Sequence, residues 1–103
     1  MFGDVFLCEF PFTSGRFSKI RPALILFDLH DDVIICRITS ALRSGALDVP
    51  LNEWRKAGLL KPSVARIGQL VTAEKTVLLR QLGALTSADI EAIREKWNES
   101  MKL

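Results

Sequence analysis

The sequence predicts a mainly β fold, a small barrel of five or six short strands with one α-helix at its C-terminal end. Three observations carry this. Short apolar runs rich in Val, Ile, Phe and Leu recur up to Leu85, separated by turns that hold Gly, Ser and Asp. A helical period appears clearly only in the last segment. The chain has 103 residues, enough for one domain over residues 1–103 and too few for two.

The elements follow in order. Asp4 to Phe10 is dense in β-formers and ends at Pro11. Phe12 to Ile20, with Thr13, Ser14 and Gly15, reads as a flexible loop carrying Arg16 and Lys19. A second strand runs from about Pro22 to Phe27, since proline is tolerated at a strand's first residue and holds Arg21 extended. Asp28 to Asp32 is a polar turn, and Val33 to Thr39 a third strand. Both strands are near-continuous apolar runs, which predicts cover on both faces. Arg37 and Thr39 share one face of the third strand, and Ile34, Cys36 and Ile38 the other.

Beyond the loop from Ser40 to Ala46, Asp48 to Leu51 is a short strand. Asn52 to Ala57 is expected to form a brief helix stopped by Gly58. Ser63 to Leu70 and Thr76 to Leu85 are further strands, the latter interrupted by Gly83. The final helix is capped by Thr86 or Ser87, with Asp89 in its first turn. Ile90, Ile93, Trp97 and Met101 make its apolar face; Asp89, Glu91, Arg94, Glu95, Lys96 and Glu99 are expected on its outer faces.

Composition narrows the function. Hydrophobic residues are 49% and charged residues 25%, an ordinary globular balance that excludes a disordered chain. Cys8 and Cys36 lie in apolar runs with no Cys-x-x-Cys, so neither a disulfide framework nor a zinc site is expected. No signal-peptide pattern and no membrane-length apolar run is present, which predicts a cytoplasmic, soluble protein without a membrane partner. The net charge is +2, but residues 16–66 are clearly basic. A solvated Lys- and Arg-rich surface accounts for this, and so does a phosphate-bearing partner.

The segments Gly3 to Leu7, Lys19-Ile20-Arg21-Pro22 to Leu26, Ile38-Thr39-Ser40, Gly58-Leu59 with Lys61 to Arg66, and Leu82 to Leu85 resemble, in order and spacing, the blocks of the MazF/PemK family of toxins. The resemblance implies an SH3-like barrel that forms a homodimer. It implies a metal-independent endoribonuclease, with no cofactor, that cuts single-stranded messenger RNA and is inhibited by a cognate antitoxin.

On that resemblance Arg21 and Thr39 are the expected catalytic pair, with Arg16, Lys19, Ser40 and Arg66 binding RNA. The residue types suit the reaction. A guanidinium holds two phosphate oxygens at once and stabilises a phosphorane's charge, whereas it is a poor base because it stays protonated. The Thr39 hydroxyl supplies a further hydrogen bond to the scissile phosphate. Some members of the family carry an arginine followed two positions later by an acidic residue, both acting in cleavage. Here Arg66 stands at the first position and Gly68 at the second. Three readings are open at this point: a weak nuclease, a nuclease that uses Arg21 and Thr39 alone, and a binder that does not cut. The non-cutting alternative includes a gyrase-poison-like toxin on the same barrel and a degraded toxin kept for regulation.

Two features of the turn from Asp28 to Asp32 are set aside. His30, the sole histidine, falls at the far end of strand two from Arg21, roughly 20 Å away. Asp28, Asp31 and Asp32 lack the Gly and Glu positions of a calcium loop. Trp97 is expected in the core; Trp54, beside Arg55 and Lys56, is expected to anchor locally or to stack on a base or partner.

Overall fold

The structure is a computed structural model that describes residues 1–11 and 18–102. Its strands are β1 (Asp4–Pro11), β2 (Ser18–Asp28), β3 (Asp32–Thr39), β4 (Asp48–Leu51), β5 (Ser63–Glu74) and β6 (Leu78–Ala84), followed by α1 (Ser87–Ser100). All pair antiparallel in one sheet, in the order β4-β5-β3-β2-β1-β6. Mainly β architecture with a C-terminal helix is as the sequence predicts.

The sheet curls because its ladders are broken by register shifts, which bend and twist strands locally. One lies between Ile25 and Phe27 of β2, and two lie along β1 where it pairs with β6. A fourth separates Cys36↔Leu70 from Arg37↔Arg66, leaving Ile67, Gly68 and Gln69 of β5 without partners on β3. The curled sheet buries side chains on both faces. On β2, Leu24 enters a cluster with Val5, Cys36, Ile38, Ile67 and Ile93, while Ala23 and Ile25 enter another with Cys8, Phe10, Val33 and Ile35. That is why β2 and β3 read as unbroken apolar runs.

Strand β2 begins at Ser18, so Lys19 and Ile20 are in the strand rather than in the expected loop, and Arg21 is inside the strand rather than just before it. Residues 12–17, including Arg16, lie outside the described residues. The expected helix from Asn52 to Ala57 is instead a series of turns over residues 52–58. Its backbone bonds are mostly i→i−3, such as Lys56 N–H to the Glu53 carbonyl at 3.1 Å. Two glycines let this segment lie directly on β6. Gly58 has φ +84° and a Cβ there would come 2.1 Å from the Leu82 carbonyl oxygen; one on Gly83 would come 2.6 Å from that of Ala57.

Helix α1 is capped by Thr86, whose hydroxyl accepts from the Asp89 N–H at 3.4 Å. Ile93 is buried in the core, with Ile90 and Trp97 partly buried beside it. Asp89 corrects the sequence reading. It is not on an outer face but 2% exposed, and its carboxylate accepts from the N–H groups of Asn52 at 3.1 Å and Glu53 at 3.0 Å. It thereby caps the 52–58 turns from a distant segment. No helix among the described residues is long and apolar enough to cross a membrane.

Candidate functional site

One groove of about 560 Å³ opens where the ends of β2, β3 and β6 meet the segment between Gly58 and Ser63. It brings Arg21 and Thr39 together. The β2–β3 ladder ends at Ala23↔Arg37, and Arg21 and Thr39 each stand two residues beyond that pair and line the groove. Arg21 is exposed, with Nη1 donating to the Ile20 carbonyl at 3.0 Å, which steadies its stem against the strand. The Thr39 Oγ1 accepts from the Ala41 N–H at 3.1 Å. With that lone pair occupied, its own O–H is left to donate to a ligand oxygen. Ser40 lines the groove beside it and is exposed.

The groove also holds Arg37, Lys61 and Arg80, which were not among the expected site residues. With Arg21 they make four cationic side chains, and no Asp, Glu or His is among the described lining residues. Apolar surface from Leu7, Ile20, Pro22, Leu59 and Leu60 lies between the charges. Such a lining favours a polyanion that also presents flat or apolar groups. Sequence held one usable signal for Arg37, its shared face with Thr39. It held none for Arg80, which reaches the groove because β6 pairs with β1, Leu7↔Arg80, and β1 with β2, Leu7↔Pro22.

Two expected RNA-binding residues stand elsewhere. Lys19 is exposed on β2 opposite Phe10 and does not line the groove. Arg66 is turned to β4, its Nε 3.1 Å from Asp48 Oδ1, with the side chains 22% and 7% exposed. Asp48 Oδ2 also accepts from the Gly45 N–H at 2.9 Å, so the pair fastens the loop before β4. Gly68 sits outside the groove as well; a Cβ there would meet Leu47 at 3.0 Å. The carboxylate that accompanies Arg66 therefore comes from β4 rather than from two residues along β5.

The remaining candidates separate from the groove. His30 is exposed in the β2–β3 turn with φ 80°, its N–H bonded to Asp28 Oδ1 at 2.9 Å. The Lys75 side chain and that N–H hold the Asp28 carboxyl below the usual range. Among the described residues no cluster of His, Cys, Asp and Glu could hold a metal ion. Trp54 packs on the core, with the Arg55 guanidinium 4.8 Å from its ring centroid, and is not a groove residue. Both cysteines are free and fully buried; burial pushes the Cys8 thiol up to about 11 and that of Cys36 to about 12.

Comparison with known proteins bears on this site. The family model of the PemK-like, MazF-like toxins of type II toxin–antitoxin systems matches residues 1–101. Among solved structures, the Mycobacterium tuberculosis toxin MazF-mt6 is 27% identical over 93% of each chain, with a TM-score of 0.77. A mycobacterial endoribonuclease solved in complex with its cognate antitoxin is 20% identical, over 96% of this chain and 91% of that one, with a TM-score of 0.76. A MazE–MazF structure from Deinococcus radiodurans is 17% identical, over 98% of this chain and 96% of that one, with a TM-score of 0.75. The last two speak to the fold alone. No curated protein matches the chain.

Proposed function

The chain belongs to the PemK-like, MazF-like toxin family of type II toxin–antitoxin systems, and on that premise we propose that it is an endoribonuclease that cuts single-stranded RNA. The observation that carries this reading is the groove. It is lined by both Arg21 and Thr39, with further cations, and no carboxylate stands among its described lining residues to repel a phosphate.

In the proposed reaction the ribose 2′-oxygen attacks the adjacent phosphorus and the 5′-oxygen leaves. The products are a 2′,3′-cyclic phosphate and a 5′-hydroxyl end. The proton lost from the 2′-hydroxyl and the proton gained by the leaving oxygen balance. Arg21 binds two non-bridging oxygens and stabilises the extra charge of the phosphorane, and Thr39 donates to the same phosphate. Ser40 is the alternative donor. No described groove residue is a carboxylate or imidazole, so electrostatic stabilisation carries more of the rate than acid–base transfer does. This chemistry needs no metal ion, and cleavage is expected to persist in EDTA. Gly68 lies outside the groove, so the missing carboxylate there does not favour the non-cutting alternative.

The same reading assigns a cognate antitoxin as inhibitor, an acidic segment competing with RNA for the cationic groove. It includes a homodimer acting in the cytoplasm; exposed Phe27 and Leu70, beside Trp97, offer apolar surface for that contact and light scattering measures it. The primary experiment is expression without a partner. Growth should arrest, and RNA fragments should end in cyclic phosphate. If the wild type and Arg21→Ala are equally harmless and neither cuts RNA, the enzyme reading is wrong. Arrest with intact transcripts and stalled replication would instead favour the gyrase-poison alternative.

A further inference from the structure

We propose that Asp89 is a positioning residue for the groove: by holding the turns over residues 52–58, its carboxylate fixes the wall from Gly58 to Lys61 and the place of the Lys61 ammonium; this rests on the reading of the groove given above. Gly58, Leu59, Leu60 and Lys61 line one side of the groove, and no strand or helix contains them. Leu60 is 93% exposed, so packing does not hold that tip. Its place depends on the residues before it. The Leu59 N–H donates to the Trp54 carbonyl at 3.1 Å, and the N–H groups of Ala57 and Gly58 donate to the carbonyls of Glu53 and Arg55. The wall is therefore the last link of a run of turns that starts at Asn52 and Glu53.

The start of that run is fastened to α1. The buried Asp89 carboxylate accepts from the N–H groups of both Asn52 and Glu53. The joint is reciprocal. Thr86 Oγ1 accepts from the Asp89 N–H, and the side chains of Thr86 and Lys56 hold the Glu53 carboxyl below its usual range. At the other end of the wall, Ser63 Oγ donates to the Lys61 carbonyl at 2.8 Å. A short run of turns is marginal by itself, and a carboxylate holding two N–H groups is a strong directional anchor. Leu59 is buried as well, but apolar packing has no direction and leaves the segment free to shift. Arg21 and Thr39 stand on β2 and β3, outside this joint. Loosening it should displace the Lys61 charge and leave the reacting pair in place.

Steady-state cleavage of a messenger RNA transcript and amide exchange are measured on the same preparations. Asp89→Asn keeps the size but turns an amide donor toward one of the two N–H groups. It should raise KM about tenfold and leave kcat within about twofold. Thr86→Val, a milder cut of the same joint, should move KM the same way, and it replaces Asp89→Asn if that variant does not fold. Ile93→Val loosens the same core without touching the joint and should leave KM unchanged. Lys61→Ala should raise KM as Asp89→Asn does, and the double variant should be no worse than either single one. Exchange of the Leu59 N–H should quicken in Asp89→Asn well beyond any change in Ile93→Val. Unchanged exchange at Leu59 overturns the proposal, and so does faster exchange with an unchanged KM. Multiplying losses in the double variant overturn it too, since Asp89 would then act other than through Lys61. A wild type that cuts no transcript removes the RNA reading alone; exchange at Leu59 then supports the anchoring of the wall if it quickens and overturns it if it does not.

Discussion

Arg66 stands between Asp48 on β4 and Arg37 on β3, opposite each in register, and pairs with Asp48 at 3.1 Å. The pairing neutralises one of two arginines that would otherwise face each other across the sheet. It leaves Arg37 as the cation available to the groove.

Asp48→Ala should therefore destabilise the fold by about 2 kcal/mol, because it leaves a largely buried Arg66 charge unpaired beside Arg37 and the Gly45 N–H without its acceptor. Arg66→Ala should lower stability as well yet retain RNA cleavage. Urea denaturation and a cleavage assay on the same preparations decide this; a folded Arg66→Ala protein without cleavage would return Arg66 to the reacting site.

Thr39→Val should reduce cleavage at saturating RNA by about tenfold to a hundredfold, while Thr39→Ser should keep most of it. The Ala41 N–H loses its acceptor in the first variant and keeps it in the second. Single-turnover rates separate the two. Equal rates for valine and serine would show that the hydroxyl does not touch the phosphate.

Asp89→Ala should cost about 2–3 kcal/mol, since it strips two backbone N–H groups of their shared acceptor in a buried setting. Loosened 52–58 turns should show first as faster amide exchange at Asn52 and Glu53. Unchanged protection at both would contradict the capping role.

Stability should fall as pH rises above about 9. The thiols of Cys8 and Cys36 ionise in the unfolded chain near the ordinary value of 9.0, but in the fold only near 11 and 12. Between those values the unfolded state holds fewer protons, so alkali favours it. Below the ordinary value both states carry the thiol and the effect vanishes. Thermal melts from pH 8 to 11 test this. A Cys8→Ala/Cys36→Ala double variant should lose the decline.

What the sequence determined by itself is local. Apolar runs set β1, β2 and β3, because a strand covered on both faces admits little else. Thr86 and the spacing of Ile90, Ile93 and Trp97 set α1, because an N-cap and a 3.6-residue period act within a few residues. Arg21 and Thr39 were legible through short motifs that lie at the ends of those same strands. The turns at 52–58 misread as a helix because their stability comes from Asp89, more than thirty residues away, and from Gly58 lying against β6. Arg66 lies outside the groove because its partner, Asp48, arrives only when β4 pairs with β5. Arg80 went unnoticed because β6 joins β1 from the far end of the chain. Strand order brings these groups together, and strand order is a choice among long-range pairings that no local pattern encodes. The tertiary structure alone decided which cations share the groove and which are neutralised outside it.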